Sequence, residues 1–573
     1  MSTNISKEKR DNLIDKIKAI RTYIAEAPQD ENTGALLVYL SELEKEVKSK
    51  KYGLVFEEHR EGIDEILADN VPVLTEKLDL FINNGGQMNF LIEGDNLAAL
   101  QLLLKTHRGK IKMIYIDPPY NTGNKDFAYD DERIDKTDTF MHSKWLSFMR
   151  QRLLVAKRLL TDDGIIFISI DDNEQPHLRL LCDDIFGADN FFSQVIVQSN
   201  KRGQTYKQIA KTHEYIVIYT KSPDAEFNEI EKTEEDSDLN LMDTIGRYNV
   251  RELRNRNPKF GRFNRPNLFY PFYVNPDVID KDGFCPVSLV QTEDYSMEVL
   301  PYNSKGEESC WRWGTKLSTE NIQPNTQISN LVARVKRDGG YNIYEKYRKS
   351  TYKAKSIWFD TDVISERGTV ELGELGLSQL FQFPKPLGLI SKCVQIGSNE
   401  EDIILDFFAG SGTTGQAVMK ANANDGGNRR FILCTNNEND ICREVTYERI
   451  RRVIDRDNYQ ASLKYYRVDF VSQKDQEGNP MFYYDYAPEL LKYVRELVEL
   501  ENGVNFSDNA ENSIVLTDEE ADAFFENTDL LNLCKRLYVG HDVLLTAEQE
   551  ETMKSLEIEL IIIPDYYYKG LGG

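Results

Sequence analysis

The tetrapeptide Asp117, Pro118, Pro119 and Tyr120 follows a short apolar run, KMIYI. The prolines fix the backbone and carry no N–H donor, so carbonyl oxygens are left free to accept hydrogen bonds. A planar ring could stack on Tyr120 while its exocyclic amine donates to Asp117 and to the Pro118 carbonyl. Holding both amine protons would aim the nitrogen lone pair at an electrophile. The alternative interpretation is a proline-rich turn with an aromatic cap.

A second motif follows the apolar run IIL and opens a predicted helix. Its residues are Asp406, Phe408, Ala409, Gly410, Ser411, Gly412 and Thr413. Two glycines permit a tight turn and a close approach of backbone to a ligand. GSGTTG also fits a dinucleotide site, but the lysine of a phosphate-binding loop is missing, so the turn fits S-adenosylmethionine (SAM) better. Glu438, after a later strand, could accept from a ribose hydroxyl or be an exposed loop acid.

Strand and helix patterns alternate around both motifs. MNFLIEG, KMIYI and GIIFISIDD read as strands, with helices predicted between them and a long amphipathic helix ending at Gly164. This alternation is typical of an α/β domain with a largely parallel, Rossmann-like sheet. Asp95, Asp117 and Asp171 follow successive strands, so we expect them at the carboxyl edge, where such sheets bind ligands.

Composition limits the classes of protein that fit. The chain has 573 residues, 40% of them hydrophobic, which excludes a mainly disordered protein. No apolar run reaches the roughly 18 residues of a membrane helix, so we expect no membrane partner. The seven cysteines form no CxxC pair and do not cluster with the histidines. This predicts reduced thiols in the cytoplasm and no metal site.

The set of motifs resembles the amino-group DNA methyltransferases in which DPPY precedes FxGxG. LIEGDNLAAL, DPPYNTGN, SCWRWG and NNENDICREVTYERI look most like the modification (Mod) subunit of type III restriction-modification systems, over roughly residues 85 to 470. The resemblance implies SAM as the methyl donor and adenine N6 in DNA as the acceptor, reached by base flipping. Cytosine-N4 methylation, RNA methylation and a DNA-reading scaffold remain as alternatives.

The resemblance also assigns roles to individual residues. Asp117, Pro118, Pro119 and Tyr120 match the catalytic motif. Asp406, Phe408, Gly410 and Gly412 match the cofactor loop. Lys385 and Pro386 match the segment that covers the methionine end of the cofactor. Asp95 matches the strand-end acid beside that pocket.

Two basic stretches lie between the catalytic motifs and indicate DNA contacts. Residues 247–265 hold seven basic side chains and one acidic, and residues 331–355 hold eight and two. Arginine and lysine contact phosphates and guanine edges. A solvated charged face is the alternative. The residues expected to contact double-stranded DNA are Arg247, Arg251, Arg254, Arg256, Lys259, Arg262, Arg265, Lys336, Arg337, Arg348 and Lys349.

These patterns predict a division of the chain. We expect a helical arm (1–60), methyltransferase halves (61–195 and 381–470) around a target-recognition domain (196–380), and an acidic C-terminal domain (471–573). The last holds 22 acidic and 7 basic residues of a chain whose net charge is −25. Phosphate would repel it, so we expect it to face protein or solvent. The resemblance implies a homodimer that can assemble with a restriction (Res) subunit.

Overall fold

The computed structural model describes residues 5–26, 33–48, 56–129, 132–135, 138–203, 208–232, 238–507 and 511–568. The α-helices in these ranges are α1 (Ile5–Glu26), α2 (Thr33–Lys48), α3 (Gly62–Asp69), α4 (Asn96–Thr106), α5 (Met141–Leu159), α6 (Gln175–Phe186), α7 (Thr315–Asn321), α8 (Ser365–Glu374), α9 (Leu387–Gly397), α10 (Thr413–Asp425), α11 (Glu448–Asp457), α12 (Tyr483–Leu491), α13 (Val494–Asn502), α14 (Asp518–Glu526), α15 (Thr528–Leu533) and α16 (Ala547–Ser555).

The strands follow in the same way. They are β1 (Asn70–Glu76), β2 (Gln87–Glu93), β3 (Ile111–Ile116), β4 (Asn124–Tyr129), β5 (Glu132–Asp135), β6 (Leu160–Ile170), β7 (Phe191–Val197), β8 (Glu214–Thr220), β9 (Ile230–Glu231), β10 (Leu241–Met242), β11 (Arg247–Glu252), β12 (Phe272–Val274), β13 (Phe284–Cys285), β14 (Val287–Ser288), β15 (Met297–Val299), β16 (Leu331–Val335), β17 (Tyr341–Tyr347), β18 (Thr351–Tyr352), β19 (Ile357–Trp358), β20 (Ile403–Asp406), β21 (Arg430–Thr435), β22 (Ala461–Ser472), β23 (Asn512–Val515), β24 (Arg536–Val539) and β25 (Glu559–Ile562).

A ten-stranded sheet dominates the chain, in the order β1-β22-β2-β21-β20-β3-β6-β8-β7-β19. Pairing is parallel from β22 through β6, whereas β1 and β8 run antiparallel to their neighbours. Every residue of β3 and of β20 is buried, as expected for strands of a parallel sheet covered on both faces. The predicted α/β, Rossmann-like fold is confirmed.

The strand order brings the two motifs together. β20 pairs directly with β3, with Leu405 opposite Ile114. DPPY follows β3 and the glycine-rich turn follows β20, so both leave the same edge of the sheet from neighbouring strands. Ligands of open α/β sheets bind at that edge.

One predicted boundary is wrong. The helix expected to reach Gly164 ends at Leu159, and β6 begins at Leu160. Leu160 has an extended backbone and pairs with Ile111 at the start of β3. Its side chain is completely buried. Pairing with β3 therefore ends the helix before its amphipathic pattern does.

Residues 227–355 form a compact unit of their own, and residues 1–226 with 356–573 form the other. The smaller unit contains a five-stranded antiparallel sheet, β10-β11-β17-β16-β13, and a three-stranded one, β14-β12-β15. Phe272, Trp311 and Leu331 lie in its core. This unit is narrower than the expected 196–380, because β8 and β19 on either side of it are strands of the ten-stranded sheet.

The acidic C-terminal segment belongs to the larger unit. It contains a parallel three-stranded sheet, β23-β24-β25. Val494, Leu497 and Tyr538 pack in the core of the ten-stranded sheet, and Glu499 forms a buried ion pair with Lys464 on β22. The segment thus packs against the rest of its own unit, and the expectation that its acidic surface faces a partner protein or solvent stays a prediction. Apolar residues of this acidic segment therefore complete part of the main core.

The N-terminal arm is helical, as predicted. α1 packs against α2, and Arg21 on α1 lies 3.1 Å from Glu44 on α2. Within the described residues, no helix combines the length and apolar character that crossing a membrane requires.

Candidate active site

The turn that carries DPPY is fixed from both sides. The indole Nε1 of Trp145, on α5, donates to the Pro119 carbonyl over 2.7 Å. The Tyr120 ring packs on the main core. Asn121 follows with φ of 53°, a left-handed conformation that asparagine tolerates better than most residues. The chain is thus held in one path just where β3 delivers Asp117.

Asp117 presents a buried acceptor. Its Oδ1 lies 3.4 Å from the ammonium of Lys385 and accepts no hydrogen bond from the described residues. Burial raises the pKa of Asp117; the Lys385 charge opposes this rise and Glu214 adds to it. A buried oxygen with an unused lone pair at this position suits an incoming N–H donor.

Lys385 joins the catalytic turn to a residue that carries no motif. Its Nζ donates to Glu214 Oε2 over 2.9 Å and to the Tyr120 hydroxyl over 2.5 Å. The hydroxyl in turn donates to Glu214 over 3.1 Å. Burial lowers the pKa of Lys385, but Asp117 and Glu214 outweigh it and the pKa rises. Lys385 is therefore a fixed cation behind the catalytic turn, directed at DPPY.

Sequence reasoning missed Glu214, although a signal exists. Glu214 begins β8, which runs antiparallel to β6 with Tyr215 opposite Ile170. The first residue of an antiparallel strand lies at the edge where its parallel neighbours end. An acid at the first position of such a strand therefore lies at the same edge as Asp117. The strand pattern HEYIVIYT, with Glu214 near its start, was the signal for this position.

The glycine-rich loop is organised by Asp406, which closes β20. Its carboxylate accepts from the Phe408 N–H over 3.0 Å and from the Thr414 hydroxyl over 2.5 Å. Burial raises the pKa of Asp406 to about 7. Asp406 thus shapes the loop through its own hydrogen bonds.

Two glycines of this loop need their lack of a side chain. Gly410 has φ of 49° and Gly412 has φ of 78°. A Cβ on Gly410 would lie 3.3 Å from the Phe381 ring, and one on Gly412 would lie 3.2 Å from Thr446. The loop therefore combines left-handed backbone with little spare volume, as a turn that closes on a ligand requires.

Arg449 supports the loop from beneath. The side chain is fully buried, and its Nη1 donates to Thr413 Oγ1 over 2.7 Å and to Ser411 Oγ over 3.1 Å. Burial lowers the pKa of Arg449 to about 10. Thr413 donates onward to the Lys385 carbonyl over 3.1 Å. This chain of contacts links the glycine-rich loop to the lysine segment, and no motif of the sequence predicted it.

The other predicted cofactor residues occupy the same edge in different ways. Asp95 is the N-cap of α4, since its Oδ1 accepts from the Leu97 N–H over 2.7 Å. Pro386 immediately precedes α9, and Ala409 is buried in the loop. Glu438 is exposed in the turn after β21. Strands β2, β21, β20 and β3 are consecutive, so all these residues follow neighbouring strand ends or flank them.

The predicted DNA-contact residues divide into two groups. Arg254 and Arg348 are half-buried and paired within their unit, Arg348 with Asp243 over 2.6 Å and Arg254 with Glu252 over 2.9 Å. The exposed members are Arg247, Arg251, Arg256, Lys259, Arg262, Arg265, Lys336, Arg337 and Lys349. Of these, Arg251, Arg256, Arg262 and Lys349 lie close to carboxylates of the same unit.

Comparison with known proteins adds independent findings. The family model N6_N4_Mtase, described as DNA methylase, matches residues 111–446. The chain is 35% identical over 396 residues to the type III restriction-modification enzyme EcoPI Mod subunit of Escherichia phage P1, covering 62% of this chain and 58% of that protein. It is 36% identical over 390 residues to the type II methyltransferase M.KpnI of Klebsiella pneumoniae, covering 66% and 90%. The StyLTI Mod subunit of Salmonella typhimurium is 28% identical, covering 78% and 67%.

Proposed function

This chain belongs to the N6_N4_Mtase family of DNA methylases, and we propose that it transfers the methyl group of SAM to the exocyclic N6 of adenine in double-stranded DNA. The observation that carries the proposal is the pairing of β3 with β20, which sets DPPY beside the glycine-rich loop. Lys385 contacts both, through its ammonium on one side and its carbonyl on the other.

The residues of the site fit a cationic, adenosine-bearing methyl donor. Gly410 and Gly412 supply left-handed turns that open a helix, and a Cβ on Gly410 would lie only 3.3 Å from the Phe381 ring. The buried carboxyl of Asp406 lies at the base of the same loop. SAM supplies an electrophilic methyl group when bound, and the residues of the chain would hold that group in position.

Asp117 would then hold the acceptor. Its free Oδ1 and the Pro118 carbonyl can each accept one amine proton, and the Tyr120 ring offers a stacking face. Methyl transfer in line needs no covalent intermediate, so the enzyme acts by positioning and electrostatics. The base must leave the duplex to reach a buried acceptor, which costs a few kcal/mol of unstacking. These requirements support adenine flipping into the site.

We assign target recognition to the unit of residues 227–355, which carries the exposed basic side chains. The similarity to two Mod subunits supports a modification and specificity role in a type III system. We further propose that the chain acts as a homodimer in the cytoplasm and can bind a Res subunit. The chain spans 58% of the phage P1 Mod subunit in that alignment. A stand-alone methyltransferase is a second candidate, because the match to M.KpnI spans 90% of that protein.

Labelled SAM and mixed-sequence duplex DNA, followed by nucleoside analysis, test the reaction. N6-methyladenine supports the proposal, and N4-methylcytosine or labelled RNA in a parallel reaction would replace it. No label with intact SAM binding would leave a DNA-reading scaffold. Copurification from the native host distinguishes the Mod role from the stand-alone enzyme. A bound Res subunit supports the first, and an active methyltransferase that copurifies with no second chain supports the second.

A further inference from the structure

Two histidines that are distant in sequence meet on one buried carboxylate. His142 Nδ1 lies 2.6 Å from Glu174 Oε1, and His177 Nδ1 lies 2.9 Å from Glu174 Oε2. Glu174 has no exposed surface. The two imidazole rings are 4.6 Å apart and 46% and 34% exposed, so solvent reaches the group from one side.

We propose that His142, Glu174 and His177 bind a divalent transition-metal ion of the Zn²⁺ class. Two imidazoles and one carboxylate are ligands that Zn²⁺ prefers, and three protein ligands leave an open position for water. One ligand atom from each residue lies within 4.8 Å of the others. Within the described part of the chain, this is the only such group of three histidine, cysteine or acidic residues.

The distances between the three side chains are close to those of a zinc site. Ligand atoms around tetrahedral Zn²⁺ are about 3.3 Å apart, given metal–ligand bonds of roughly 2.0–2.2 Å. The two N–O distances of 2.6 and 2.9 Å are shorter because each imidazole hydrogen-bonds directly to the carboxylate. Binding requires each ring to withdraw by less than about 1 Å. Both rings border solvent, so this movement displaces no core residue.

The helices already fix the ligands in place. His142 lies in the first turn of α5, and His177 lies in the first turn of α6, whose N-cap residue is Glu174. α5 packs against α6. Glu174 and His177 are three residues apart, the Glu-x-x-His spacing that puts two ligands on one helix face. That spacing was the one sequence signal for this group. It was overlooked because the sequence-based prediction of metal sites relied on cysteines and histidines that lie close together.

A supporting residue connects the group to the catalytic turn. Asn121, which follows Tyr120, donates from its Nδ2 to Glu174 Oε1 over 2.5 Å and to the Met141 carbonyl over 3.1 Å. Asn121 is 1% exposed. Its Oδ1 accepts no hydrogen bond from the described residues. Residues that orient metal ligands in this way typically change metal affinity about 10–100-fold when removed. An ion here would therefore stiffen the segment that follows DPPY, without contacting the reacting atoms.

Metal binding by the full-length chain tests the proposal. After removal of metals with a chelator, Zn²⁺ is titrated in competition with a chromophoric chelator. We expect one high-affinity Zn²⁺ per chain, a loss of at least about tenfold in affinity for Asn121→Ala, and loss of the site in the double variant His142→Gln/His177→Gln. His541→Gln, a histidine beside Asp542 in the C-terminal segment, is the matched control and retains the site.

A second measurement uses the unaltered chain, so it does not depend on the variants folding. Co²⁺ in place of Zn²⁺ should give the intense visible absorption of a four- or five-coordinate ion, and Zn²⁺ should raise the melting temperature. A spectrum equal to that of hydrated Co²⁺, or equal Zn²⁺ binding by wild type and a folded double variant, would overturn the proposal. Neither measurement depends on methyl transfer. Failure of the metal proposal can therefore be distinguished from failure of the proposed reaction.

Discussion

The ammonium of Lys385 lies 2.9 Å from Glu214 Oε2, although 171 residues separate them in sequence. The buried Oδ1 of Asp117 lies 3.4 Å from the same ammonium, so one cation serves two carboxylates. Breaking a buried ion pair by removing one partner is strongly destabilising, because it leaves an uncompensated charge. The Lys385 charge therefore favours the ionised form of Asp117 against the effect of burial, and Lys385 also links the two motifs.

Asp117→Ala should abolish methyl transfer and leave SAM binding detectable. The substitution removes the acceptor for the amine but none of the hydrogen bonds of the glycine-rich loop. Transfer is measured with labelled SAM and DNA, and binding by calorimetry. The control is Asp162→Ala, because the Asp162 side chain is 96% exposed and lies near the start of β6, at the other end of that strand from the catalytic edge. Unchanged transfer in the Asp117 variant would remove the catalytic assignment.

Lys385→Met should move the acidic limb of the pH–rate profile to higher pH. The Lys385 charge holds down the pKa of Asp117, which burial raises. Without that charge the pKa rises further, and the carboxylate is protonated over more of the acidic range. The variant should therefore lose proportionally more activity at pH 6 than at pH 8.5. Lys392→Met removes a cation on α9 that is paired with Asp360. This control should change the rate by the same factor at both pH values.

Gly410→Val should weaken SAM binding before it affects the fold. A non-glycine residue in the left-handed region costs roughly 1–2 kcal/mol, about 5–30-fold in affinity if binding requires that conformation. The Cβ also meets the Phe381 ring. Gly426→Val is a close control: it follows the end of the helix that this loop opens, has φ of 74°, and has no atom within 4 Å of the added Cβ. Equal SAM affinity in both variants would argue against contact between the loop and the cofactor.

Asp406→Asn should remove a pH dependence of stability. Burial raises the pKa of Asp406 from 3.8 to about 7. The neutral carboxyl favours folding, so its contribution is complete below about pH 4 and is lost as the pH rises through 7. The free energy of unfolding of wild type, relative to the Asn variant, should fall by on the order of 4 kcal/mol across this range. Denaturant unfolding at pH 4.5, 6 and 7.5 measures it, and a constant difference would contradict the buried, neutral carboxyl.

The sequence predicted the residues of the two motifs better than it predicted the residues that hold those motifs in place. DPPY and the glycine-rich loop are each one continuous stretch of sequence with characteristic residue types. Asp117 and Gly410 could therefore be identified from sequence. Arg449 was not, because it joins the site only through the packing of the helix after β21, and the only signal for Glu214 was its position as the acid that opens β8. The packing of the C-terminal segment was missed for a related reason: a net charge does not show that apolar residues such as Leu497 and Tyr538 complete the core.

Lys336→Gln/Arg337→Gln should weaken DNA binding equally for all sequences. Both side chains are exposed in the turn between β16 and β17, within the second basic stretch. For each phosphate that the variant no longer neutralises, the slope of log affinity against log salt should decrease in magnitude by about 0.9. Fluorescence anisotropy with duplex DNA at several salt concentrations measures the slope. Lys535→Gln/Lys554→Gln removes two exposed cations from the acidic segment and should leave the slope unchanged. Because both double variants change the net charge equally, a smaller slope in the first alone places the phosphate contacts in residues 227–355, and equal slopes would exclude this turn from the DNA interface.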